Sequence, residues 1–468
     1  MKYIYKIFIL VAIFVFSSCD DFLDIEPKGF VVPSEVRDFD LMLNGGNYSI
    51  HTTTDEDVLF MTADDFQSTT EQLGDLGNPQ NKKLKLYTWA ENLFLGPQQE
   101  PSWNNSYSNI FTYNTIIEGL EGVTRENEET VKDIKRILAE AKVGRAYEYW
   151  LLVNTFAKHF NKTTANVDFG VPLITKPRAS ALDNPPRATV EEIYAFIIKD
   201  VEESIAHLPE SAINKVRPSK ATGYAFLARY YLSSAAYEKA LKNATLAINL
   251  QGEIGDYTSS SYSEEYDKEQ YITRLYDYSR GFEAGFLSDE LVSLYDEKDV
   301  RLNSIVRADY KWKKINGTWV KIYSGFYKNS LGINVNHAVS VPEMYVIRAE
   351  CNARLANGAV ADVITDLNRI RIKRFSTTNY TPLTALDFSD KSKALKFTLE
   401  ERRRELVLTG VRLFDLKRLN LEPAFAKSIT HTVEGVHYTV NPSANNLVLP
   451  IPALVFNFNS NITQNPRD

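Results

Sequence analysis

Residues 219–250 constrain the fold more tightly than any other stretch of the chain. Ala221, Tyr224, Ala225, Leu227, Ala228 and Tyr231 recur at helical spacing, and after a short break Tyr237, Ala240, Leu241, Ala244 and Ile248 do so again. Apolar residues spaced by three and four fill one face of a helix. Much of this face is alanine, so two antiparallel helices can approach closely, as in tetratricopeptide hairpins. A similar pair is read at Met344–Leu355 and Val360–Ile372. Ile134–Phe156 reads as a longer amphipathic helix whose buried face is Ile137, Ala141, Ala146, Tyr149, Trp150 and Val153, and Trp103, Tyr107, Ile110, Asn114 and Ile117 share a face of the helix before it. The expected fold is mostly α. Tetratricopeptide-like helical hairpins from about 103–250 and 342–420 form a scaffold assembled from distant segments, without one uninterrupted tandem array.

Other signals place the remaining elements. Thr189-Val190-Glu191-Glu192 is a capping box, in which the Thr189 hydroxyl takes a backbone N–H and Glu192 reaches back. It opens a helix to about Leu208, stopped by Pro209. Ser34–Leu43 reads as a short first helix, and Lys393–Asn420 as a long late one. On the latter, Glu400 with Arg404 and Arg402 with Glu405 have the spacing of paired charges on a helix face, read as structural. Asp55-Glu56-Asp57 and Asp64-Asp65 lack the order and glycine of an EF-hand, so they read as a solvated acidic loop with no metal. Loop-rich elements at about 44–102, 251–341 and 421–468 accompany the scaffold within a single domain, 19–468. No cofactor is expected.

The N-terminus is a targeting segment. Lys2 and Lys6 flank the start and Ile7–Phe16 is apolar throughout, which is a secretory signal. The run is shorter than the about 20 residues a membrane-spanning helix needs. Ser17 and Ser18 lead into Cys19, as at a bacterial lipoprotein cleavage site. Residues 1–18 would be removed and Cys19 would carry the acyl chains, palmitate among them. The usual pattern has Leu three residues before the cysteine, and here that position is Phe16. Several acyl chains anchor a protein stably, so the chain is expected to be tethered to a bilayer without crossing it. The formal charge of −7 becomes −9 once Lys2 and Lys6 leave, which argues against nucleic acid as a partner. With Cys19 acylated only Cys351 remains, so no intrachain disulfide is possible.

Residues 251–341 differ in character, being rich in Tyr, Ser and Gly. Asn316-Gly317 is the strongest hairpin signal in the chain. With these two in the turn, Lys314 opposes Trp319, Trp312 opposes Lys321 and Tyr310 opposes Tyr323. Alternation then puts all six on one face and Ile315, Val320 and Ile322 on the other. In one orientation the second face seals against the helices and the aromatic–lysine face meets solvent, where rings could stack on a sugar. In the other, Trp312 and Trp319 face the core. The candidate ligand-binding residues are Tyr310, Trp312, Trp319 and Tyr323, with Trp89 and Phe94 as nearby aromatics.

Several segments together resemble the SusD/RagB family of surface glycan-binding lipoproteins of Bacteroidota. They are SCDDFLDIEPKG from Ser18, WNNSYSNIFTYNTII from Trp103, FGVPLITKPRASALDNPPRATVEEIYAFIIKDVEESIAHLPE from Phe169, RPSKATGYAFLARYYL from Arg217, RAECNARLANG from Arg348, DLNRIRIKR from Asp366, ERRRELVLTGVRLFDLKRL from Glu401 and LPIPALVFNFNSNITQNPRD from Leu449. They follow the family's order over nearly the whole chain, although Thr409 stands where the family usually has Glu. The resemblance implies a tetratricopeptide-like scaffold, a variable loop-rich half with short β-hairpins that carries the ligand site, and anchorage at the outer face of the outer membrane. It also implies a partner, a SusC-like TonB-dependent transporter over which the lipoprotein sits as a lid. The family has no catalytic motif, and its binding residues are not fixed.

Four functions are therefore weighed, of which a purely structural helical-repeat adaptor ranks last because it would lack the Tyr/Trp-rich excursion. Capture of an oligosaccharide for the transporter leads, and capture of a peptide in the same role is the alternative. A surface glycosidase would need two carboxylates about 5 to 10 Å apart across a cleft, and no pair stands out. No HExxH or GxSxG occurs, and His51, His159, His207, His337, His431 and His437 have no metal spacing.

Overall fold

The structure, a computed structural model, describes residues 33–45, 56–94, 100–177, 184–259, 262–275, 285–304, 306–315, 317–328 and 336–468. Cys19 and the rest of the targeting segment lie outside the described residues.

Ten helices carry the architecture: α1 (Val36–Met42), α2 (Pro101–Gly119), α3 (Glu128–Phe156), α4 (Val190–Ser204), α5 (Lys220–Ser233), α6 (Tyr237–Leu250), α7 (Val341–Arg354), α8 (Val360–Arg371), α9 (Lys391–Glu405) and α10 (Arg412–Leu419). Shorter helical turns join them. Side-chain caps explain several starts. The Thr189 hydroxyl accepts from the Glu192 N–H at 3.2 Å and the Glu192 carboxylate accepts from the Thr189 N–H at 2.8 Å, so α4 begins at Val190 as the capping box predicts. Asn127 caps α3 through the Thr130 N–H, one turn and a half earlier than its apolar pattern suggests.

The helices stack in a row. α2 packs on α3, α3 on α4, α5 on α6, α6 on α7, and α7 on both α8 and α9. Helices α6 and α7 are thus neighbours in space although residues 251–340 intervene, the expected assembly from distant segments. Ala225, Ala228, Ala240, Ala244 and Ala247 are fully buried along the α5–α6 seam. The predicted inner face of α3, Ile137, Ala141, Ala146, Tyr149, Trp150 and Val153, is buried as well. The fold is mostly α, with a tetratricopeptide-like scaffold.

Four two-stranded antiparallel ribbons complete the described fold. Strand β1 (Phe66–Gln67) pairs with β4 (Phe286–Leu287), stitching the N-terminal segment to the excursion between α6 and α7. The others are β2–β3 (Phe169–Pro172 with Arg187–Thr189), β5–β6 (Val306–Ile315 with Thr318–Lys328) and β7–β8 (Ile429–Val433 with Val436–Val440). Among the described residues, no helix is long and apolar enough to cross a membrane.

Three expectations are corrected. The late helix is two helices, because the chain takes left-handed conformations at Leu408 (φ 67°) and Gly410 (φ 78°) between α9 and α10. The charge pairing on α9 also differs. Arg404 pairs with Glu401 at 2.6 Å, Arg402 reaches Asp415 and Glu343, and Glu405 is gripped by Arg301 and Arg374, each at 2.6 Å. These charges join elements to one another and do not decorate a solvated face. Asp64 and Asp65 are not in a solvated loop. Both are buried, and Arg403, Arg412 and Lys427 compensate their charge. Among the described residues no cluster of His, Cys, Asp or Glu is arranged to hold a metal ion.

Candidate functional site

The β5–β6 hairpin has the register that its turn dictates. Tyr310 is paired with Tyr323, Trp312 with Lys321 and Lys314 with Trp319, and Gly317 supplies the positive φ (85°) that the tight turn requires. The orientation of its faces differs from both expectations. Trp312 is 63% exposed, Trp319 62% and Tyr310 45%, so the aromatic face meets solvent. Yet Ile315 and Val320, on the opposite face, are also exposed, so the distal hairpin does not lie sealed on the helices. It projects with both faces wet. The backbone of Tyr323 is in register, and its side chain lies outside the described set.

The foot of the hairpin is fixed differently. Asp309 pairs with Gly325 and Tyr310 with Tyr323, leaving Ser324 as an extra residue, a β-bulge. Gly325 adopts φ 140°, and a Cβ there would lie 2.7 Å from the Phe286 ring. Phe286 belongs to β4 and lines a cleft of about 470 Å³, within the range of small-ligand sites. Gln67, Ser68, Thr69, Asp289, Thr430 and Thr432 give the cleft its hydrogen-bonding wall, and Phe66, Tyr87 and Phe286 its apolar one.

The cleft floor is electrostatically rigid. Arg412 holds Asp64 through two hydrogen bonds of 2.7 and 2.9 Å. Lys427 bridges Asp64 at 2.6 Å and Glu290 at 2.7 Å. Burial opposes ionisation of Asp64, but the Arg412, Arg403 and Lys427 charges outweigh it and hold its carboxyl well below the usual range. Partial burial likewise opposes ionisation of Glu290, and Lys427 and Arg403 again win. Lys427 is thus shared between two carboxylates, with Arg403 and Arg412 beside it. His431 is sandwiched between Tyr87 and Trp89, ring centroids 4.0 and 4.3 Å away, with Nδ1 2.7 Å from the Tyr87 carbonyl oxygen.

The other two aromatic candidates stand elsewhere. Trp89 is buried, stacked on His431, and its Nε1 donates to the Thr62 carbonyl at 3.3 Å. Phe94 is buried in the same core cluster. Neither presents a ring face to solvent. They do not extend the exposed aromatic row, a correction to the expectation: Trp89 packs behind β7 on His431, and Phe94 lies in the core with the Lys82 ammonium 5.9 Å from its ring centroid. Tyr257, Tyr266 and Tyr271 of the tyrosine-rich excursion are also core. The cleft itself was not foreseen, because its walls come from segments centred near residues 66, 288 and 430 and no local pattern joins them.

Comparison with known proteins follows the same architecture. Residues 21–232 match a family profile described as starch-binding associating with outer membrane, and residues 341–467 match the profile of the SusD family. SusD-like protein P2 of Formosa agariphila is 23% identical, covering 98% of this chain and 99% of its own. Among solved structures, a SusD superfamily protein from Bacteroides vulgatus superposes with a TM-score of 0.72 at 23% identity, covering 93% of this chain and 99% of that one. A laminarin-binding SusD-like protein superposes with a TM-score of 0.61 at 18% identity, covering 93% and 100%.

Proposed function

The chain belongs to the SusD/RagB family, and from that premise we propose that it is a cell-surface lipoprotein that binds an oligo- or polysaccharide and delivers it to a SusC-like TonB-dependent transporter in the outer membrane. Cys19 carries the acyl anchor, and the protein faces the cell exterior. It holds its ligand without cleaving it.

The observation that carries this reading is the exposure of Trp312 and Trp319 on one face of a projecting hairpin. Large aromatic side chains gain most by burial, so two indoles left in water on one face mark a contact surface. A pyranose offers a C–H face to such rings and hydroxyls to neighbouring polar groups. The cleft at the hairpin's foot supplies amide, hydroxyl and carboxylate groups for the second kind of contact.

Capture of a peptide is the second reading. Glu290 and Lys427 meet at the cleft as an ion pair of opposite charges, and a peptide's amino and carboxyl groups could each pair with one of them.

The test is binding of the chain without its first 19 residues, all of which precede the described fold, to a panel of plant, host and microbial polysaccharides and to mixed peptides. Release of reducing ends is followed in the same tubes. Binding to a glycan that Trp312→Ala or Trp319→Ala abolishes, with melting unchanged, is the expected result. Binding that survives both changes removes the site from the hairpin. Peptide binding alone replaces the cargo, and release of sugar ends overturns the non-catalytic reading.

A further inference from the structure

Strands β5 and β6 contain six basic residues, Arg307, Lys311, Lys313, Lys314, Lys321 and Lys328, and one acid, Asp309, in a chain whose formal charge is −7. From Tyr310 to Lys321 there are four lysines and no carboxylate. In the interior, by contrast, Arg301, Arg374, Arg403, Arg412 and Arg418 each rest on carboxylates. Lys313, Lys314 and Lys321 are exposed and make no ion pair with any described residue. Lysines do guard exposed strand edges against aggregation. That role alone would not place two exposed tryptophans between them.

The register arranges the charges relative to the rings. Trp312 faces Lys321 across the ribbon, and Lys314 faces Trp319. The four residues therefore occupy the corners of a quadrilateral, tryptophans on one diagonal and lysines on the other. Opposed Cβ atoms in such a ribbon lie about 4.5–5.5 Å apart, and residues two apart along a strand about 6.6 Å. Each indole thus has a lysine beside it in both directions. The Lys321 ammonium also lies 4.2 Å from the Tyr310 ring centroid, drawn in along the aromatic row.

We propose that the ligand of this face is an anionic glycan, bearing carboxylate or sulfate groups on its sugar rings. The inference rests on the glycan-binding reading and narrows its chemistry. A pyranose stacked on an indole places its charged substituent at the ring's rim, where a neighbouring ammonium can meet it. A neutral sugar would use the rings and leave the lysines idle. At longer range the basic hairpin attracts a polyanion that the acidic remainder of the surface repels, so the ligand is steered to this one element.

The experiment compares a polyuronate, a sulfated galactan, a neutral β-glucan, single-stranded DNA and phosphatidylglycerol vesicles, at about 50 mM and about 500 mM salt, a range over which surface charges become strongly screened. Expected is binding of one anionic glycan that weakens about tenfold or more at high salt, as release of counterions demands. Lys314→Gln with Lys321→Gln should weaken it by about tenfold, with the melting temperature unchanged and the salt dependence flattened. Binding of the neutral glucan instead, insensitive to salt and to both lysine changes, overturns the anionic assignment and leaves the glycan-binding reading standing. Absence of binding to every glycan overturns both. Equal or tighter binding of DNA or vesicles marks the hairpin as a general polyanion surface and also overturns the proposal.

Discussion

Arg403 and Asp65 are 338 positions apart in the chain, yet the Arg403 guanidinium donates to the Asp65 carboxylate at 2.7 Å where both side chains are almost dry. Arg403 also reaches Glu290 at 2.6 Å. One side chain of α9 thereby fixes the N-terminal segment and the turn after β4, the two elements that shape the cleft. Removing one partner of a buried pair leaves an uncompensated charge, at a cost of about 3–5 kcal/mol. Arg403→Met should lose stability on that scale in denaturant unfolding. Arg403→Met combined with Asp65→Leu should recover part of it, since the stranded carboxylate is then gone. Equal losses in the single and double variants would mean that Arg403 acts through packing alone.

Gly325 makes the second prediction. Its φ of 140° and the 2.7 Å approach of its missing Cβ to Phe286 fix how the hairpin leaves β4. Gly325→Val must either strain the backbone, at about 1–3 kcal/mol, or lift the hairpin off the Phe286 ring. The helical scaffold touches neither change. Ligand binding should fall sharply while far-ultraviolet circular dichroism and the melting of the scaffold stay close to those of the parent chain. Undiminished binding would show that the hairpin works independently of its foot.

The helical layer was legible because its information is local. The alanine spacing of α5 and α6, the Thr189 capping box and the Asn316-Gly317 register all reappear in the structure. Each is set by residues within one turn or one hairpin. What was illegible is set by partners far along the chain. Asp64 and Asp65 look like a solvated acidic run until Arg403, Arg412 and Lys427 arrive from more than 330 residues away. Glu400 and Arg404 have ideal helix spacing, yet Arg404 turns to Glu401 because Glu401 is the buried acid that Arg301 also needs. The hydrophobic character of Trp89 could not say whether its ring faces a ligand or His431. The break between α9 and α10 was missed for a different reason: the left-handed residue before Gly410 is Leu408, a residue type that gives no turn signal.

Gly144 shows how close the scaffold helices come. It lies in the middle of α3, and a Cβ there would be 2.3 Å from the Tyr113 ring of α2. In an exposed helix Gly→Ala gains about 0.8–1 kcal/mol. Here overpacking of about 1–3 kcal/mol acts against it, because Tyr113 is itself fully buried and has nowhere to move. Gly144→Ala should therefore lower the unfolding free energy. In a Tyr113→Leu background, where the ring is absent, the same change should become neutral or stabilising. A gain in the parent background would place the two helices farther apart than the structure does.

Glu148, one turn further along α3, carries a pH dependence. Its side chain is fully buried, with Asn109 Nδ2 donating to Oε1 at 3.2 Å. Burial raises the carboxyl to about 8, and the Arg274 charge and nearby hydrogen bonds offset only part of that effect. In the unfolded chain it titrates near the ordinary 4.5. Between those values the folded protein binds a proton that the unfolded chain has lost, so unfolding releases it and stability falls as pH rises. The group's contribution is complete below about 4.5 and lost as pH passes about 8. Glu148→Gln keeps the shape without a titrating proton. The stability of this variant relative to the parent should rise with pH across that window, at up to about 1.4 kcal/mol per pH unit, the variant being the more stable above pH ~8. Because the comparison subtracts every other titrating group, a difference that stays flat from pH ~5 to ~9 would mean that Glu148 is ionised against Arg274 throughout.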